Sequence, residues 1–164
     1  MEKTSKAQFG SIRFAEYEDL KQVNDLRKQV NELHVKGKPE IFKEGFTDEL
    51  RDYIFEIFAD PLKKIVVYDS DGVICAFAVL NHITKPENPY MNERDYLDID
   101  EFGVDEAFRR KGIATEVIDF IRAYAKDEGF SRLELNMWEF NEGALAFYEA
   151  AGFSTYRRYM EMEI

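Results

Sequence analysis

The sequence predicts an α/β fold, with a single mixed central sheet flanked by helices. Three observations carry this. Some stretches repeat apolar residues at three- and four-residue steps, while others are short apolar runs bounded by turn residues. Ser70-Asp71-Gly72 joins two such runs as a hairpin turn. A helical stretch at 113–126 lies between two further runs, as a parallel crossover requires.

The elements follow in order. Ser11–Ala15 reads as a first strand. From Tyr17 to Leu33, the spacing of Leu20, Val23, Leu26, Val30 and Leu33 predicts an amphipathic helix. Gly37, Pro39 and Gly45 break the stretch Val35–Gly45 into a loop. A second helix spans Thr47–Ala59, with Leu50, Ile54, Ile57 and Phe58 on its inner side, and Pro61 ends it. KKIVVYD and VICAFAVLNHI are strands on either side of the hairpin turn, and Pro86 and Pro89 mark a loop. Tyr96–Val104 is a strand, Ile113–Lys126 a helix, Phe130–Trp138 a strand, Asn141–Ala151 a helix and Thr155–Met162 a final strand. The predicted order is β-α-α-β-β-β-α-β-α-β. No repeat or long Gly/Ser linker interrupts it, so residues 1–164 are expected to form one domain.

Composition narrows the function classes. With 33 acidic against 22 basic residues, the net charge is −11, and such a surface repels nucleic acid and anionic lipid. It attracts cationic partners such as amines, polyamines or basic peptides; the acidity also fits a role in solubility alone. No apolar run approaches the roughly 18 residues of a membrane span, and the start MEKTSKAQFGSIRF lacks a signal peptide's apolar stretch. A lone cysteine, Cys75, forms no internal disulfide and fits a reducing compartment, so a cytoplasmic location is expected. Cys75 in VICAFAV reads as a small core residue, and two histidines with one cysteine, widely spaced, make no zinc pattern.

Against this acidic background, V-D-E-A-F-R-R-K-G-I-A-T-E-V (Val104–Val117) gathers Arg109, Arg110 and Lys111 directly before Gly112, where a helix begins. The first amides of a helix have no intrahelical partner and carry partial positive charge, which favours phosphate. Gly112 lets an anion approach the main chain, Ala114 is small for the same steric reason, and the three basic side chains add charge-assisted contacts. Arg110–Thr115 therefore reads as a pyrophosphate cradle; a solvated helix start with clustered bases is the plainer alternative. A Walker loop is excluded because Ile113 follows Gly112, and a dinucleotide fingerprint because only one of its three glycines is present.

The residues L-D-I-D-E-F-G-V (Leu97–Val104) followed by R-x-x-G-x-A resemble the acyl-CoA-binding segment of the GNAT superfamily of N-acetyltransferases. N-E-G-A-L-A-F-Y-E-A-A-G-F (Asn141–Phe153) resembles that family's second motif, in the family's order. The resemblance covers nearly the whole chain and implies the GNAT fold, with acetyl-CoA as co-substrate and no metal. It implies that coenzyme A lies between the strand ending at Val104 and the strand ending near Trp138. The pantetheine arm would pair along Phe102–Val104, and the pyrophosphate would rest on Arg110–Thr115, Ile113 and Ala114 included, with Arg109 and Lys111 at the rim. A β-bulge would splay the two strands, with Gly103 a plausible bulge residue.

By the same resemblance Tyr148 is the general acid that protonates the leaving thiolate. Its reference pKa of roughly 10 is close enough to a thiol's roughly 8.5 for transfer; packing beside Phe147 is the alternative. Asp100 matches the family's frequent acidic position and would act through water. Strand alternation puts Glu101 on the opposite face, so one of the two at most reaches the substrate. The amide near Phe102 or Gly103 would polarise the thioester carbonyl. Asn141 suits a helix cap and by resemblance lies near the pantetheine. Arg110 and Ala114 stand where glycine is frequent in the family. His34 borders the expected acceptor region, where a surface histidine without a role is the plainer reading; Trp138 and Phe140 shape the acceptor wall or the core. The alternation Tyr156, Arg158, Met160, Met162, Ile164 exposes an apolar face for core or dimer contact. The resulting expectation is direct acetyl transfer to a primary amine of a small molecule or peptide, with a cationic acceptor and a possible homodimer. An idle acyl-CoA-binding or protein-interaction module is the alternative.

Overall fold

The computed structural model describes residues 4–164. Six strands form one sheet in the order β1-β2-β3-β4-β5-β6, namely β1 (Thr4–Ala7), β2 (Gly10–Phe14), β3 (Lys63–Ser70), β4 (Val73–Lys85), β5 (Arg94–Val104) and β6 (Leu133–Leu135). Neighbours from β1 to β5 are antiparallel, and β5 pairs with β6 in parallel. The helices are α1 (Leu20–Gly37), α2 (Asp48–Ala59), α3 (Ile113–Asp127) and α4 (Glu142–Ala150).

Alternation along β3 and β4 divides the core into two layers. Val66, Tyr68, Ala76, Ala78 and Leu80 pack with Ile113, Val117, Ile118 and Ile121 of α3. Ile65, Val67, Phe77 and Val79 pack with Leu20, Val23 and Leu26 of α1 and Ile54 and Ile57 of α2. Strands covered on both faces read as continuous apolar runs, which is why VICAFAVL lacks alternation. Each fully buried Ile or Leu there contributes roughly 1.5–3 kcal/mol. Cys75 is fully buried in the α3 layer, and burial pushes its thiol up to about 11, so it is a packing residue. The β3–β4 hairpin turns through Asp71 (φ 54°) and Gly72 (φ 88°), both left-handed, as a two-residue turn matched to strand twist requires.

Four boundaries depart from the sequence reading. Thr4–Ala7 adds a strand at the opposite edge of the sheet. Helix α1 runs on to Gly37, four residues past the apolar stripe. The strand expected over Phe130–Trp138 is reduced to β6, because Phe130 instead closes α3, its amide donating to the Ala125 carbonyl at 2.9 Å. The strand expected over Thr155–Met162 does not form; those residues are exposed and join no ladder. No helix among the described residues is long and apolar enough to cross a membrane.

Candidate active site

The site is built on a break in β5. Glu101 faces Val79 and Ile99 faces Leu80, so Asp100 is an extra residue with no partner opposite it. β6 pairs with β5 only over Leu97–Ile99. From the bulge onward, the β5 edge facing β6 runs free of a neighbouring strand, which leaves a cleft with backbone polar groups on its wall. The bulge was expected at Gly103 and falls at Asp100 instead. Gly103 is held in register opposite Phe77, and a Cβ there would come within 2.8 Å of both Phe77 and Val30. Its glycine serves the close approach of α1 to the sheet.

At the end of β5 the chain makes a 3-10 turn at Glu106–Phe108 and then enters α3. Arg110 (φ 62°) and Gly112 (φ 81°) both adopt left-handed conformations, and Gly112 is the N-cap. The first helical bond runs from the Glu116 amide to the Gly112 carbonyl, so the amides of Ile113, Ala114 and Thr115 have no backbone acceptor. Nothing lies within 4 Å of a Cβ built on Gly112, so the approach to those amides is open. Arg110 and Lys111 are exposed, Lys111 above the Phe108 ring at 4.9 Å, and Arg109 Nε donates to the Val104 carbonyl at 3.2 Å. Ile113 itself is buried in the core, so it offers an anion only its N–H. Concave backbone amides, a helix N-terminus and three basic side chains are a donor set suited to a diphosphate.

Tyr148 on α4 sits against the free end of β5, its ring 6.3 Å from Phe102, 5.2 Å from Phe147 and 5.7 Å from Phe153. Burial pushes its phenol up to about 12, so the hydroxyl stays protonated at neutral pH, and no described residue accepts from it. Asn141 caps α4, its Oδ1 accepting from the Ala144 amide at 3.1 Å.

The carboxylates divide. Asp100 is exposed at the bulge and has no side-chain partner among the described residues. Glu101 is tied to Arg27 of α1 by two bonds, 2.8 and 3.0 Å. Asp98, two residues before Asp100, is pushed up to about 6 by burial first, then by the charges of Asp100 and Glu134.

His34 and Trp138, far apart in sequence, meet through Phe42. His34 stacks on Phe42 at 4.9 Å, and Phe42 meets Trp138 edge-on at 5.1 Å. Phe140 stacks on Trp138 at 6.3 Å and lies against Gly37. Burial lowers the His34 pKa, which the charge of Glu101 partly opposes. Sequence reasoning missed Arg27, Asp98 and Phe42. Arg27 had a signal: it falls four residues after Val23, on the apolar stripe of α1, where only a paired charge is stable.

Comparison with known proteins places the family and the fold. The chain matches the acetyltransferase (GNAT) family over residues 27–153 and belongs to that family. It is similar to an uncharacterized N-acetyltransferase of Methanocaldococcus jannaschii, 38% identical over 63 residues. That match spans 38% of this chain and 28% of the relative. The fold is similar to a tetramutant of the BH1408 protein of Bacillus halodurans, with TM-score 0.88 and 28% identity over 93% of this chain and 99% of that one. It is also similar to the aminoglycoside N-acetyltransferase AAC(6')-Iy in complex with CoA, with TM-score 0.70 and 18% identity over 93% of this chain and 98% of that one. Among the described residues no group of His, Cys, Asp and Glu is arranged to hold a metal ion.

Proposed function

We propose that the chain moves an acetyl group directly from acetyl-CoA to a primary amine. The observation that carries this reading is the cleft itself: a strand freed at the Asp100 bulge leads to the open amides of Ile113–Thr115. In this reading the diphosphate rests on those amides, ringed by Arg109, Arg110 and Lys111, and the pantetheine runs along Phe102–Val104. An amide at Phe102 or Gly103 polarises the thioester carbonyl, and Asn141 borders the pantetheine while keeping its cap.

The acceptor arrives as an ammonium ion and loses one proton through water to Asp100, the carboxylate free of a partner. Glu101, both oxygens already accepting from Arg27, orders that water or the incoming ammonium. The neutral amine attacks the thioester carbon, the C–N bond forms, and the C–S bond breaks. Tyr148 donates its proton to the departing sulfur, and the second proton released by the acylated nitrogen passes through water to restore the phenol. The apolar surroundings that raise the Tyr148 phenol destabilise a thiolate in the same place, so the two proton affinities rise together and transfer remains useful. His34 and Trp138, with Phe42 and Phe140, form the aromatic wall of the acceptor side, and aromatic faces beside Glu101 favour a cationic acceptor. Small molecules and peptide or protein amines both fit this chemistry.

The test is thiol release from acetyl-CoA across a panel of amines, run beside calorimetric binding of coenzyme A. Amine-dependent release with formation of the acetylated amine is the expected result. Tight coenzyme A binding with no release against any acceptor class overturns the enzymatic reading in favour of an idle acyl-CoA-binding module. No binding of coenzyme A at all overturns both.

A further inference from the structure

Residues 105–111 carry the chain from the end of β5 to the N-cap of α3 at Gly112. They lie outside the ladder, and among the described residues the amides of Arg110, Lys111 and Gly112 donate to no backbone carbonyl. The place of the cradle is therefore inherited from the turn at Glu106–Phe108, and that turn is fixed at its start. The Asp105 amide donates to the Cys75 carbonyl at 2.9 Å, and Asp105 Oδ1 accepts from the Ala107 amide at 2.8 Å as the turn's cap. A side chain of α1 completes the anchorage. Gln29 donates from Nε2 to Asp105 Oδ2 and accepts the Glu106 N–H on Oε1, both at 3.2 Å. A backbone N–H can only donate and a carboxylate can only accept, so these two partners fix which way the Gln29 amide points. Helical spacing explains the reach. Val30 lies against Gly103, with Arg27 on one flank reaching Glu101 upstream and Gln29 on the other reaching Asp105 and Glu106 downstream. Helix α1 thus holds both the bulged strand and the turn that follows it.

We propose that Gln29 is a positioning residue for the diphosphate cradle. By clamping the Asp105–Glu106 turn against α1, it sets where Arg109 and the amides of Ile113–Thr115 stand. The inference rests on the reading that those amides receive the diphosphate of coenzyme A. Arg109 depends on the turn directly. Its Nε donates to the Val104 carbonyl at 3.2 Å and its Nη1 lies 3.6 Å from Glu106 Oε1, so a shift of Glu106 moves the guanidinium as well as the loop. Gln29 acts only through this backbone. One partner needs a donor and the other an acceptor, so no single replacement serves both. Gln29→Glu keeps an acceptor for the Glu106 amide but sets a carboxylate against Asp105. Asp105→Asn keeps the cap on Ala107 but sets an amide donor against Gln29 Nε2. The two together restore both bonds, with the new amide donating to the new carboxylate, and leave the net charge as it is in the wild type.

The test titrates the full chain, both single variants and the double variant with coenzyme A by calorimetry, and follows hydrogen exchange of each without ligand by mass spectrometry. Gln29→Glu is expected to raise the coenzyme A dissociation constant about tenfold or more. It should also speed exchange in residues 105–115 while β3 and β4 keep their protection. The double variant should return to within about threefold of the wild type. Should Gln29→Glu fail to fold, Gln29→Ala removes both bonds without adding a charge and carries the same expected loss and the same local exchange. Unchanged affinity in the Gln29 variants overturns the inference, as does a double variant no tighter than the single ones. So does exchange that rises throughout the chain, because Gln29 then serves overall stability alone. A wild-type chain that binds no coenzyme A overturns the underlying reading, whereas wild-type binding with unaffected variants overturns this inference only.

Discussion

Arg27 holds Glu101 by two parallel hydrogen bonds, Nε to Oε2 at 2.8 Å and Nη2 to Oε1 at 3.0 Å. The same guanidinium donates to the Leu50 carbonyl at 2.7 Å and to Asn24 Oδ1 at 3.0 Å, and lies 5.6 Å from the Phe46 ring and 6.0 Å from the Tyr53 ring. One side chain thus ties α1, the start of α2 and the residue just past the bulge into a single unit. The side chain of Arg27 is 6% exposed and that of Glu101 23%. This end of the cleft is therefore held by a charge pair that water barely screens on one side.

Removing the cation leaves Glu101 without its partner. Arg27→Ala should destabilise the protein by about 2–3 kcal/mol, below the roughly 3–5 kcal/mol for a fully buried pair because Glu101 keeps some solvent. Adding Glu101→Gln to that variant should recover part of the loss, since the uncompensated charge is then gone. Urea unfolding of the two single variants and the double measures this. Strict additivity would mean that the pair contributes nothing as a pair.

Tyr148→Phe keeps the ring contacts with Phe102, Phe147 and Phe153 and deletes only the hydroxyl. With Tyr148 as acid, kcat should fall well over tenfold, with little change in the KM for acetyl-CoA. A phenol pushed up to about 12 stays protonated through the working range, so any alkaline limb below pH 10 should keep its position in the variant. Turnover at the wild-type rate removes Tyr148 from the chemistry.

Gly112→Ala tests the cradle. At φ 81° a Cβ costs roughly 1–2 kcal/mol, yet it meets no atom within 4 Å, so the protein should still fold with a slightly lowered Tm. Relief of that strain moves the amides of Ile113–Thr115, and coenzyme A affinity should fall about tenfold or more, with dephospho- and desulfo-forms losing in parallel. Calorimetry on the folded variant reads the effect. Unchanged affinity would place the diphosphate elsewhere.

How much of this was legible in the sequence depends on what stabilises each part. Helix α3 and the β3–β4 hairpin were readable because local pattern and turn chemistry agree with the packing. The parallel step from β5 to β6 followed from the crossover helix alone. The length of β6 was not readable: the Phe130 amide is drawn to the end of α3, and Trp138 leaves the sheet to join Phe42 and Phe140. The bulge eluded the pattern as well. A glycine marks a permissive backbone, but Gly103 is fixed by Phe77 and Val30, and the extra residue is the one with no partner, Asp100. Residues 155–162 have the right period for a strand, and alternation alone does not reveal whether the chain supplies its own partner. The meeting of His34 with Trp138 depends on Phe42, which no local spacing reveals.

Asp98 gives the site a pH-dependent cost. Its carboxyl is raised from the ordinary 3.8 to about 6, by burial and by Asp100 and Glu134. A raised acid binds its proton more tightly in the folded chain than in the unfolded one. Its stabilising contribution is therefore complete below about pH 4 and is lost as pH rises through about 6. Asp98→Asn carries no charge at any pH, so relative to wild type it should be neutral near pH 4 and more stable by about 1–2 kcal/mol at pH 7.5, after allowance for partial exposure. Other carboxylates held by cations, Asp19 beside Arg13 among them, lose their pairing in acid in both proteins, so the difference between the two isolates Asp98. Thermal unfolding of the pair at pH 4, 5, 6 and 7.5 reads it. A gap that closes as pH rises would mean that Asp98 is stabilised as the anion, and that the acidic trio Asp98, Asp100 and Glu134 does not repel.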